Sequence, residues 1–169
     1  HCFKRLSVSA ILFIANIIVS AADSNLDKIS PENPVIVLPE NADGSKEFAA
    51  KELKKHWELI TGNNIEILRD TKSLPEKAFP IYVGLFSPAD ANILQKEEAR
   101  YSIGASGIYI YGEDNDTNKK VDFSEILDFK HIRTGTLFAV YFFLENEMGV
   151  KWIEPGDCGI VYKQVKNPT

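Results

Sequence analysis

The sequence predicts an α/β (α+β) protein in which helices pack on a mixed β-sheet. Two observations carry this expectation. Short runs rich in β-branched and aromatic residues alternate with helical patterns, and some successive runs are so close that only a hairpin can join them. The order along the chain reads β-α-β-β-α-β-β-α-β-β. Crossovers and hairpins both occur in it, which excludes a fully parallel doubly wound sheet. Composition agrees, since 169 residues with 44% hydrophobic and 25% charged side chains are enough for one domain with a sizeable core.

The elements follow in order. Val35, Ile36, Val37 and Leu38, bounded by Pro34 and Pro39, form a short apolar run that reads as a strand. After several N-capping residues at 41–45, a helix is expected over 45–61. Ala49, Leu53, Trp57 and Ile60 fall on one of its faces, lysines and glutamates fill the other, and Gly62 stands where a left-handed cap belongs. Strands follow at 65–68 and 80–85. Ser87-Pro88 opens a shorter helix, with Ser as N-cap and Pro in the first position. Runs at 101–103 and 107–111, separated by Gly104-Ala105-Ser106, suit a β-hairpin.

A second strong helix is expected over 134–148 and stopped by Gly149. Leu137, Val140, Tyr141, Leu144 and Met148 mark its inner face. Phe138, Phe142 and Phe143 make it apolar nearly all round, so it should be deeply buried or covered by something outside this sequence. Two short strands at 150–153 and 159–162 close the pattern.

The segment 1–22 reads differently. Lys4 and Arg5 precede a mostly apolar run over 6–19, and Ser20-Ala21-Ala22 supply small side chains, the order of a secretory signal peptide. The run falls short of the ~20 residues that span a bilayer, so cleavage after Ala21 or Ala22 and export to a secreted or periplasmic location are expected. The chain begins with His1 rather than Met, so the sequence is expected to be a fragment or to have a misplaced start. The organisation expected is thus a signal peptide at 1–22, a polar leader at 23–33, one domain at 34–162, and the start of a continuation at 163–169. Without Lys4 and Arg5 of the signal, the chain's 19 basic residues fall to 17 against 24 acidic ones, a net charge of −7. That balance argues against nucleic acid or an anionic membrane surface as partner. Cys2 would leave with the signal, and Cys158 is then expected as a single thiol.

No phosphate loop, dinucleotide fingerprint, His-Glu-x-x-His or Gly-x-Ser-x-Gly motif occurs. His56 and His131, the histidines beyond the signal, have no Cys or carboxylate at metal-ligand spacing and read as surface or capping residues. One segment approaches a calcium loop. From Asp114, oxygen ligands stand at the first, third, fifth, ninth and twelfth positions as Asp114, Asp116, Asn118, Asp122 and Glu125, with Val121 at the eighth. Lys119 occupies the sixth position, where a sharp turn wants Gly, and the alternative is a solvated polar excursion. No other cofactor is expected. Glu154 and Asp157 flank a Pro-Gly turn and are the nearest approach to a carboxylate pair, while Glu145 and Glu147 point to different sides of their helix. Trp57, Trp152 and the tyrosines could stack on sugar rings but stand at positions that read as core.

Two runs carry a family resemblance. Ile36-Val37-Leu38-Pro39, Phe48-Ala49-Ala50-Lys51-Glu52-Leu53 and Ile60-Thr61-Gly62 resemble the opening of the α-glucuronidase N-terminal domain. They are also similar to the domain that precedes the barrel in β-hexosaminidases and chitobiases. The run from Gly135 to Glu145, followed by Gly149-Val150-Lys151-Trp152-Ile153-Glu154-Pro155-Gly156, is similar to the second half of that domain, especially in uncharacterised secreted bacterial relatives. The resemblance covers 34–162. It implies a hexosaminidase second-domain-like fold, with two main helices on one face of a mixed sheet. It also implies a C-terminal catalytic barrel of the same parent chain, which would hold the catalytic carboxylates and bind the carbohydrate substrate.

The function expected is that of a non-catalytic N-terminal accessory domain in an exported glycoside hydrolase that breaks down polysaccharide. The alternatives are a stand-alone secreted carbohydrate- or calcium-binding module and a small hydrolase using Glu154 or Asp157.

Overall fold

The computed structural model describes residues 32–69, 71–88, 94, 98–114, 133–154 and 156–162. The signal peptide, most of the polar leader, the helix expected after Pro88, His131, and Asp116 to Glu125 of the calcium-like loop lie outside the described residues, as do 163–169.

The fold is a mixed α/β one. A five-stranded sheet has the order β2-β1-β3-β5-β4, made from β1 (Pro34–Leu38), β2 (Glu66–Arg69), β3 (Phe79–Val83), β4 (Ala99–Gly104) and β5 (Gly107–Gly112). Strands β2, β1, β3 and β5 pair in parallel, and β4 turns back antiparallel on β5 as an edge. Helices α1 (Gly44–Thr61) and α2 (Gly135–Asn146) pack on the sheet and on each other, so they share one face.

Alternation sets the layers. Ile36, Leu38, Ile81, Val83, Ile108 and Ile110 point to the helices and join Ala49, Leu53, Trp57, Val140, Phe143 and Leu144 in one core. The other face carries Val35, Val37, Tyr82 and Tyr109. The last two are register partners whose rings stack at 4.5 Å. Helix α1 starts where Asp43 accepts the Lys46 N–H at 2.9 Å and ends at Gly62 with φ +71°. Gly62 is the cap expected from the sequence, and Asp43 is the one used among the several N-capping candidates at 41–45.

Helix α2 departs from expectation in detail. It ends at Asn146, and Phe143, expected on the outer side, is 1% exposed. Phe143 shares a stripe with Val140 and Leu144 and meets Tyr101 of β4 edge-on at 5.8 Å, because the antiparallel edge extends the sheet beneath it. The chain closes with a hairpin of β6 (Lys151–Trp152) and β7 (Ile160–Val161), joined through a 3₁₀ turn at Asp157–Gly159. Among the described residues no helix is long and apolar enough to cross a membrane.

Candidate functional site

Three groups of side chains stand out, and each is built where α1 and α2 meet the sheet or the hairpin. The first lies at the carboxyl ends of β1, β3 and β5. Asp114, just beyond β5, forms an isolated bridge with Thr134 and accepts both the Thr136 N–H at 3.0 Å and the Thr136 hydroxyl at 2.6 Å. Thr136 Oγ1 in turn accepts the Gly112 N–H at 3.2 Å. Lys46, from the first turn of α1, reaches Asp43 at 2.6 Å and Asp114 at 3.5 Å. One lysine therefore ties the first turns of both helices to the end of β5.

Burial raises the Asp114 carboxyl above its ordinary value, against the opposing pull of the Thr136 hydrogen bonds and of Lys46. Burial alone would lower the Lys46 ammonium, but the Asp43 hydrogen bond and the charges of Asp114 and Asp43 outweigh it and raise its pKa. Asp114, the first of the calcium-loop candidates, thus serves as the acceptor that fixes the start of α2. Asp116, Asn118, Asp122 and Glu125 lie outside the described residues. Among the described residues no three His, Cys, Asp or Glu side chains converge as a metal site would require.

The second group is His56, Glu52, Tyr141 and Trp152. Glu52 Oε2 accepts the Tyr141 hydroxyl at 3.1 Å and stands 3.8 Å from His56 Nε2. Trp152 meets the His56 ring at 5.9 Å and the Tyr141 ring at 5.4 Å, both near perpendicular. Burial, then the Glu52 charge, pushes the Tyr141 phenol well above its usual range. His56 is 1% exposed, which corrects its reading as a surface or capping residue. The helix position that neighbours Trp57 faces α2 and the hairpin here, so Trp152 closes over the imidazole.

The third group is the outward side of α2 and the hairpin. Phe138 and Phe142, one turn apart, are 56% and 48% exposed, and Ile153 is 75% exposed. Trp152, which read as core, is 38% exposed, and Val161 is 49% exposed. Trp57, by contrast, is buried. The hairpin is fastened to α2 by the Val150 N–H on Leu144 O at 3.0 Å, by Lys151 on Glu145 at 3.3 Å, and by the Trp152–Tyr141 contact. Register places Lys151 and Val161 as partners, with Ile153 on their side of the hairpin. Trp152 stands on the opposite side, against His56 and Tyr141, so Ile153 and Val161 share one side of the hairpin while Phe138 and Phe142 share the outer stripe of α2.

Glu154 is exposed on the same hairpin, next to the turn that contains Asp157. Glu145 and Glu147 part as expected, one to Lys151 and the other to the Tyr101 hydroxyl at 2.9 Å. Cys158 is exposed on the 3₁₀ turn at Asp157–Gly159, and the other cysteine of the chain, Cys2, lies outside the described residues. On the solvent side of α1 an open depression of about 410 Å³ borders Lys51, Lys54, Lys55, Glu58 and Leu59, none of them a candidate site residue from the sequence. No protein-family model matches this chain, and no curated protein matches it either.

Proposed function

We propose that this chain is a non-catalytic N-terminal accessory domain of an exported carbohydrate-active protein, a glycoside hydrolase of the α-glucuronidase kind. The observation that carries the reading is the outward face of α2. Phe138 and Phe142 project from a helix whose inner side is already filled. An exposed aromatic pair on such a helix is what a protein contact needs, because removing that surface from water drives association. A mixed sheet with both helices on one face is also the architecture that the α-glucuronidase and β-hexosaminidase resemblance implies.

The partner that goes with this reading is a catalytic barrel of the same parent chain, which would bind the carbohydrate. The domain's own part is to pack against that barrel and stabilise it. The test is the reading frame downstream of Thr169. A barrel-sized region with its own paired carboxylates supports the proposal, and an immediate stop codon overturns it.

A further inference from the structure

We propose that the sheet face turned away from the helices carries a shallow binding site for a neutral pyranose ring, seated on β4 against the ring of Tyr109. The first observation is the Tyr82–Tyr109 stack. The two centroids lie 4.5 Å apart across neighbouring strands, with the ring planes 22° from parallel. Each ring therefore covers one face of the other, and the second face of Tyr109 is turned toward β4. Opposite Tyr109 on β4 stands Ser102, too short to cover a phenol ring. Tyr82, Tyr109 and Ser102 each keep part of their surface in water, whereas Val35 and Val37 on the same face of β1 are buried.

The second observation is the floor beside that ring. Ala99 and Tyr101 pack toward the core, so Arg100, Ser102 and Gly104 stand on the open face. Gly104 pairs with Gly107, and a Cβ on Gly104 would meet nothing nearer than the Gly107 carbonyl oxygen at 3.7 Å. Strand β4 is the edge of the sheet, so no strand lies beyond it. The result is a step with an aromatic wall, a floor of one hydroxyl and two glycines, and an open outer side.

The third observation is the polar end of the step. Arg100 is the same-face neighbour of Ser102, ~7 Å along the strand. Glu98 Oε1 holds its Nε at 2.6 Å and its Nη2 at 2.5 Å, and the guanidinium stays partly exposed. This pair sets cationic donors beside a carboxylate acceptor, the two partners that neighbouring sugar hydroxyls require. Its charges cancel, so the site has no net cation with which to select a uronate. A pyranose whose hydroxyls are all equatorial presents an apolar C–H face to Tyr109 and a polar rim to Ser102 and Arg100. The step lies across the sheet from α2, so it stands or falls apart from the contact proposed for that helix.

Isothermal titration of the chain with cellohexaose and with xylohexaose, both built from such rings, tests the proposal. Saturable binding to at least one is expected. Tyr109→Ala is expected to weaken it about tenfold or more, as loss of the stacking face does. Gly104→Leu fills the floor at an exposed position and is expected to abolish binding, with the far-UV circular dichroism and melting temperature of the wild type. Absence of binding to either oligosaccharide overturns the proposal. Binding that survives both substitutions undiminished overturns it too. A tighter complex with hexagalacturonate than with either neutral chain overturns the neutral ring as the ligand.

Discussion

The carboxylate of Asp114 accepts two hydrogen bonds from Thr136, one from the backbone N–H at 3.0 Å and one from the hydroxyl at 2.6 Å. These two residues join the end of β5 to the start of α2, across the segment 115–132 that lies outside the described part of the chain. With Lys46 opposite, the pair fixes the angle at which α2 lies on the sheet. Asp114→Ala would leave the Thr136 donors and the Lys46 ammonium short of their partner. It should cost about 2–3 kcal/mol in urea unfolding at neutral pH.

The pH dependence has a definite sign. The Asp114 carboxyl is raised in the folded chain, chiefly by burial, so the folded state holds that proton more tightly than the unfolded one. The stability Asp114 contributes through this proton is therefore fully present below its ordinary value of 3.8 and is lost as pH rises through the higher folded value. The stability of wild type relative to Asp114→Asn should be greatest at acid pH and fall toward neutrality. Urea melts of both proteins from acid to neutral pH measure this, and a difference that grows with pH would contradict it.

Gly112 and Gly135 meet where β5 ends and α2 begins. A Cβ on Gly112 would run into the Gly135 backbone, and a Cβ on Gly135 would lie 2.5 Å from Glu113 N. Only backbone can yield there, so the cost is large although φ is ordinary at both positions. Gly112→Ala should destabilise by ~3 kcal/mol or more, or leave the chain insoluble, whereas Gly62→Ala should cost about 1 kcal/mol from its left-handed φ alone. Denaturant melts of the two variants decide the order.

The helix α1, its caps and the hairpin β4–β5 were legible because each signal is local. Capping residues at 41–45 and Gly62 announce the ends of α1, and Gly104-Ala105-Ser106 announce the turn. The inner residues Leu137, Val140 and Leu144 followed from spacing in the same way. Phe143 and His56 were misplaced because their burial comes from elements distant in sequence. Tyr101 of the edge strand covers Phe143, and Trp152 of the final hairpin covers His56. The strand order was not legible either, since apolar runs such as 35–38 and 80–83 state that a strand is buried and not which strand lies beside it. Asp114 was singled out for its oxygens. The partners of those oxygens are Thr136, on the far side of a long intervening segment, and Lys46, back at the start of α1. Neither lies within the span of any short motif.

Calcium offers a further test. The oxygens of Asp114 are already held by Thr136 and faced by Lys46, so a calcium loop beginning there would have to release both. Calorimetric titration of the purified chain with calcium to millimolar concentration should give no binding heat, and the melting temperature should not move. A saturable heat that vanishes in Glu125→Gln would establish the loop as a site.

The claim that the outward face of α2 is a docking surface is tested most directly in trans. The barrel region proposed to lie downstream of this domain is to be expressed as a separate chain and captured with the domain, wild type against the Phe138→Lys/Phe142→Lys double variant. The account predicts a stoichiometric complex with the wild type and none with a variant that is equally folded. A complex that forms as well with the variant as with the wild type would contradict it.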